Sequence, residues 1–120
     1  MPAMRNTIKK HIHFLPGPDD ITACSTFFFI RARATKFTDG ARYGITATKR
    51  TFKLAVNRNR AKRLLRDWIR FCETKLCPDL DYIFIARHGI LDATRAQGRT
   101  ALKKALHHIK KLNDTKNANN

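Results

Sequence analysis

The chain has 120 residues and a mass of 13.8 kDa, the size of one domain. Its 25 Lys and Arg against 9 Asp and Glu leave a formal net charge of +16, a self-repulsion that a polyanionic partner would offset. A hydrophobic fraction of 42% with eight Phe excludes a wholly disordered basic tail, and no apolar run approaches the ~20 residues of a membrane span.

In chain order, residues 1–7 are expected to be loose. They have basic character, but no apolar stretch follows to make a secretory signal. Ile8, Ile12 and Leu15 recur at helical spacing, with Asn6 or Thr7 as N-cap, and Pro16-Gly17-Pro18 ends that short helix. Ser25 to Ala34 holds Phe27, Phe28, Phe29 and Ile30 and then alternates Arg31, Ala32, Arg33, which predicts a strand. Thr38-Asp39-Gly40 signals a turn, and Arg42 to Lys49 alternates around Tyr43, Ile45 and Ala47. These two strands are expected to pair as an antiparallel hairpin.

Leu54 to Leu76 has no Gly or Pro, and Pro78 ends it, which predicts one long helix. Ala61, Leu64, Leu65, Trp68, Ile69, Cys72 and Leu76 share one face of it. Asn59, Lys62, Arg63, Arg66 and Arg70 share another. Leu80 to Arg87 reads as a central strand, and Gly89 and Asp92 mark a loop. Leu102, Ala105, Leu106, Ile109 and Leu112 form a final amphipathic stripe, with Gly98 leaving its start open. Asn113 to Asn120 is polar and is expected to fray. The order is α, β, β, α, β, α: a single α+β domain over 1–120, a two-layer sandwich with one small, mostly antiparallel sheet covered by helices.

Cysteines 24, 72 and 77 are odd in number and form no disulfide framework, which suits a reducing cytoplasm. Cys72 and Cys77 lack a second ligand pair, so no metal site is expected, and Cys72 reads as a core residue. The charge is concentrated. Lys49, Arg50, Lys53, Arg58, Arg60, Lys62, Arg63, Arg66 and Arg70 fall within a stretch whose only acid is Asp67. A solvated helix interleaves both signs at i, i+4, whereas Lys62, Arg66 and Arg70 repel one another at that spacing. The stripe reads as a phosphate-binding rail about 17 Å long, and its richness in Arg suits forked contacts to phosphate. An isolated pair such as Lys110-Lys111 reads as a generic solvated face.

Few side chains on the rail suit base readout, so backbone and shape recognition of RNA is favoured over a DNA major groove. Phe27, Phe28 and Phe29 beside Arg31 and Arg33 put aromatics next to cations on a sheet, a surface able to stack single-stranded bases. The acids are scattered, and the adjacent His107 and His108 point apart on a helix, so no catalytic residue is expected in this chain.

Val56-Asn57-Arg58-Asn59-Arg60-Ala61-Lys62-Arg63-Leu64-Leu65-Arg66-Asp67-Trp68-Ile69-Arg70 resembles the R-N-R-x-K-R-x-x-R signature of the bacterial ribonuclease P protein subunit, with the further Arg four residues on. Tyr43-Gly44-Ile45-Thr46-Ala47-Thr48-Lys49-Arg50 and Tyr82-Ile83-Phe84-Ile85-Ala86-Arg87 resemble the family's flanking strands. The resemblance covers about residues 42–112 and is weaker before them. It implies a left-handed β-α-β crossover, the minority hand, and an obligatory RNA partner that carries the active site and its Mg²⁺. No obligate protein partner is predicted. The activity implied is removal of 5′ leaders from precursor tRNA. Arg58, Asn59, Arg60, Lys62, Arg63, Arg66 and Arg70 would face the catalytic RNA. Phe14, Phe29, Arg31, Arg33, Lys49 and Arg50 are the nearest candidates for a cleft that holds the leader. The rival class is a ribosomal or regulatory RNA- or DNA-binding module with no enzyme behind it.

Overall fold

The computed structural model describes residues 6–7, 20–34 and 42–118. It is an α+β sandwich. One layer is a five-stranded sheet of β1 (Asn6–Thr7), β2 (Ile21–Cys24), β3 (Phe28–Ala34), β4 (Arg42–Thr46) and β5 (Leu80–Ala86), and the other is made of helices α1 (Ala55–Phe71) and α2 (Arg95–Ala118). Short 3₁₀ turns at Glu73–Lys75 and His88–Asp92 precede β5 and α2. The sheet order is β1-β4-β5-β3-β2. The segment expected to form the first helix, Phe14 included, and the Thr38–Gly40 turn lie outside the described residues. Asn6 and Thr7, read as an N-cap, instead pair with Arg42 and Tyr43 in a parallel ladder.

The expected hairpin is not formed. β3 and β4 each pair with β5, the first antiparallel and the second parallel, so β5 lies between them. The reason is burial. β5 (L-D-Y-I-F-I-A) is apolar at almost every position and buried along almost its full length, so both its edges and both its faces must be covered. β2, which was not foreseen, closes the other edge of β3. β4, α1 and β5 thereby form a parallel β-α-β unit on adjacent strands.

The alternation of β3 sets the core. Phe28, Ile30 and Ala32 stand opposite Ala86, Phe84 and Tyr82 on the face that meets the helices. Ala61, Leu65, Trp68 and Ile69 of α1 and Leu102, Leu106 and Ile109 of α2 complete it. The predicted apolar face of the long helix is therefore the buried one. The helix itself ends earlier than expected. Cys72 leaves helical geometry at φ −99°, ψ 15°, and a 3₁₀ turn follows, yet Cys72, Leu76 and Cys77 remain in the core. Burial pushes the Cys72 and Cys77 thiols above their ordinary pKa.

Helix α2 begins with a capping box written locally in the sequence as Thr94-x-x-Gln97. The Gln97 amide donates to Thr94 Oγ1 at 3.1 Å, and the Thr94 amide donates to Gln97 Oε1 at 3.0 Å. At its far end the helix continues through the segment expected to fray, reaching Ala118. Asn113 is buried there, and its Nδ2 donates to Asp79 at 3.2 Å.

Gly98 lies in the first turns of α2 because the Trp68 indole occupies the space a side chain would fill. A Cβ at that position would stand 2.0 Å from Trp68 Cε2. Gly98→Ala is expected to destabilise the domain by about 1–3 kcal/mol through overpacking, outweighing the roughly 1 kcal/mol of helix propensity gained. Urea denaturation measures it, and unchanged or raised stability would show that the two helices do not lock together through this contact.

Candidate nucleic-acid interface

The connection from β4 to α1 positions the basic stripe. Thr48 organises the turn that carries Lys49 and Arg50: its Oγ1 accepts the Thr51 amide at 3.2 Å, and its carbonyl accepts the Phe52 amide at 2.9 Å. Phe52 is buried and stacks on His88, with ring centroids 6.0 Å apart. Arg58 Nη1 then donates to the carbonyls of Phe52 at 2.9 Å and Lys53 at 3.2 Å. Arg58 is half-buried and fastens the loop to the first turn of α1. Among the predicted rail residues it is the one turned to the protein's own backbone.

The rest of the stripe faces outward. Asn59, Arg60, Arg63, Arg66 and Arg70 are exposed and Lys62 is half-buried, while Ala61, Leu65, Trp68 and Ile69 fill the opposite side. Among the described residues no carboxylate pairs with these cations. Asp67 faces α2, 3.4 Å from Arg99 Nη2 and 3.7 Å from Arg95 Nε. Arg99 also stacks over the exposed Phe71 ring at 4.1 Å. The first turn of α1 has no acid and no side-chain cap, so the positive end of the helix dipole adds to the field of the stripe.

The second face of the sheet carries the other candidates in three cross-strand rows. Thr46, Ile85, Phe29 and Cys24 form one row, Gly44, Ile83, Arg31 and Thr22 the next, and Arg42, Asp81 and Arg33 the third. Phe29, Arg31 and Arg33 thus share a face, as the alternation predicted. Phe29 stands in the row nearest the β4 end that leads to Lys49 and Arg50, which are themselves exposed. The guanidinium of Arg31 lies 5.8 Å from the Phe29 ring centroid. Its Nε and Nη1 are buried without a hydrogen-bond acceptor among the described residues.

The third row is internally neutralised. Arg33 makes a forked pair with Asp20 at 3.0 and 3.1 Å. Arg42 makes another with Asp81 at 3.0 and 2.6 Å, both side chains nearly buried. Arg33 therefore holds an edge of the sheet. The Arg42–Asp81 pair escaped the sequence reading because its partners are 39 residues apart and meet only through the β4–β5 register.

Three comparisons with known proteins point to one family. The family model described as Ribonuclease P matches residues 19–110. The ribonuclease P protein component of Marinomonas sp. (strain MWYL1) is 42% identical over 73 residues, 61% of this chain and 54% of that protein. That of Desulforapulum autotrophicum is 36% identical over 84 residues, 70% of this chain and 71% of that protein. The chain spans about half the length of the Marinomonas and Idiomarina relatives it matches. Among solved structures, the Staphylococcus aureus RNase P protein superimposes with a TM-score of 0.71 at 27% identity, covering 87% of this chain and 94% of that one. The Thermotoga maritima RNase P protein shares the fold, with a TM-score of 0.61 at 20% identity over 72% and 80% of the two chains.

Two kinds of arginine on one helix are separable by stability. Arg58→Ala, which removes two bonds to loop carbonyls, is expected to cost about 1–2 kcal/mol. Arg63→Ala with Arg66→Ala is expected to change stability by less than about 0.5 kcal/mol, as exposed substitutions do. Thermal or urea melts check both, and a large loss in the double variant would assign those side chains to the fold instead of to a partner.

Proposed function

Because the chain belongs to the ribonuclease P protein family, we propose that it is the protein subunit of a ribonuclease P, pairing with a catalytic RNA to remove 5′ leaders from precursor tRNA in the cytoplasm. The observation that carries this reading is the row of outward cations on α1, which spell the family signature and have no carboxylate partner among the described residues.

Arg60, Lys62, Arg63, Arg66 and Arg70, with the amide of Asn59, supply forked and single donors to phosphate oxygens of the catalytic RNA. Arg58 contributes by fixing the loop before them. Phe29 and Arg31, with Lys49 and Arg50 beyond the end of β4, offer a ring and cations without a carboxylate partner among the described residues to the single-stranded leader. Any Mg²⁺ would be held by ligands of the RNA, where it would supply Lewis-acid chemistry, and no residue of this chain is read as its ligand. The protein's own contribution is electrostatic: fixed cations lower the repulsion between two RNAs at a given Mg²⁺ concentration. No side chain of the chain breaks the bond.

Low Mg²⁺ is therefore the discriminating condition. Purified protein added to its cognate catalytic RNA is expected to speed precursor tRNA cleavage by at least about tenfold, equivalent to roughly 1.4 kcal/mol of barrier. The gain should shrink as Mg²⁺ rises, and Arg63→Ala with Arg66→Ala should abolish most of it. Absence of stimulation would favour a ribosomal or regulatory nucleic-acid-binding module. Cleavage by the polypeptide without RNA would place chemistry in the chain.

A further inference from the structure

Helix α2 carries a second concentration of charge, outside the signature stretch. Between Arg95 and Lys111 it has six Lys or Arg, and its first acid is Asp114. Arg95 and Arg99 are occupied by Asp67. Lys103, Lys104 and Lys110 have no carboxylate partner among the described residues. Packing brings a fourth lysine to them. The Glu73–Lys75 turn at the end of α1 lies against α2, and Lys75, Lys103, Lys104, His107 and Lys110 rim a cleft of about 600 Å³. Its floor is apolar, with Leu76 and Leu106 among its lining.

The convergence is electrostatic as well as steric. Lys103, Lys75 and Arg99 all bear on the Cys72 thiol. Lys110 bears on Cys77, where Asp79 and Asp114 act in the opposite sense. Asp79 is held by Asn113 at that end. Lys103 and Lys110 stand two turns apart on the same side of α2, and Lys75 faces them from another element, so like charges gather around one apolar floor. A solvated face would spread them. A cleft rimmed by flexible ammonium groups over aliphatic side chains fits a sugar–phosphate strand, with oxygens at the rim and ribose on the floor.

We propose that this cleft is a second RNA-binding site, in which Lys75, Lys103 and Lys110 take phosphodiester oxygens of an RNA segment other than the one on the α1 rail. The inference rests on the RNA-binding function proposed above. The lining of the cleft begins at Thr74, four residues along the chain from Arg70, so a second group of cations follows the signature along the chain.

The test uses the full chain and its transcribed cognate catalytic RNA. Lys103→Ala with Lys110→Ala alters exposed side chains and should leave the circular dichroism spectrum and melting temperature unchanged. Binding measured over a range of monovalent salt should give a plot of log K against log salt that is shallower by about 1.4–1.8, at about 0.7–0.9 per phosphate. Arg63→Ala with Arg66→Ala serves as reference, and the fourfold variant should show the sum of the two changes. A shallower slope in the reference variant alone overturns the cleft and leaves the rail standing. Unchanged slopes in both overturn the cleft and the rail alike, whereas no measurable binding by the wild type overturns the RNA-binding reading itself. Acetylation footprinting supplies the second readout: RNA should protect Lys75, Lys103 and Lys110 in the wild type and in the reference variant. Equal protection by inorganic phosphate with an unchanged slope would make the cleft a free-anion site and overturn the proposal.

Discussion

Helix α1 has one rotation about its axis that buries Trp68, and that rotation decides where every cation goes. The indole fits only because α2 presents a glycine to it: at Gly98 a methyl group would stand 2.0 Å from the ring. Phe27 and Phe28 approach the same indole from the sheet, with ring centroids 6.0 and 6.4 Å away. Sheet, first helix and second helix therefore meet on one side chain. With Trp68 held inward, the 3.6-residue period turns Arg63, Arg66 and Arg70 to solvent. Asp67 is left at the boundary, within reach of Arg95 and Arg99. The one acid of the basic stretch is thus consumed by the neighbouring helix, and the stripe keeps its full charge.

The same economy appears on the sheet's second face. In its third row Arg42 pairs with Asp81, and Arg33 pairs with Asp20 beside the row, so these four described residues cancel one another's charge. Among the described residues, Arg31 and, beyond β4, Lys49 and Arg50 have no carboxylate partner. The neutralised pairs tie neighbouring strands together, and the remaining described cations of this face carry their charge without a carboxylate among the described residues. A protein of net charge +16 must make that division somewhere, since pairing all its acids still leaves most of its bases exposed to one another.

Arg58 shows why a signature residue and a contact residue are different things. It belongs to the R-N-R run, yet its guanidinium satisfies the carbonyls of Phe52 and Lys53. The loop it secures carries Lys49, Arg50 and the buried Phe52 anchor. An arginine facing inward at the start of the helix thus sets the place of cations that face outward from the loop. Lys110 illustrates the converse. As half of a Lys-Lys pair on an amphipathic helix it looks like a solvated residue, but packing gathers it with Lys75 and Lys103 around one cleft.

Local pattern determined much of this protein. The two faces of α1, the buried alternation of β3, the central place of β5 and the positions of the cations all follow from period and composition, because side-chain direction in a helix or strand is set by the backbone repeat alone. The capping box at Thr94 and Gln97 was equally local and equally legible. What the pattern could not reach is pairing. The hairpin expected between β3 and β4 gave way to β5 because strand order is chosen by which strand most needs both faces covered, a comparison made across the whole chain. The Arg42–Asp81 pair, the Trp68–Gly98 contact and the Lys75–Lys103 cleft each join residues far apart in sequence, and only the packed helices and the strand register bring them within range.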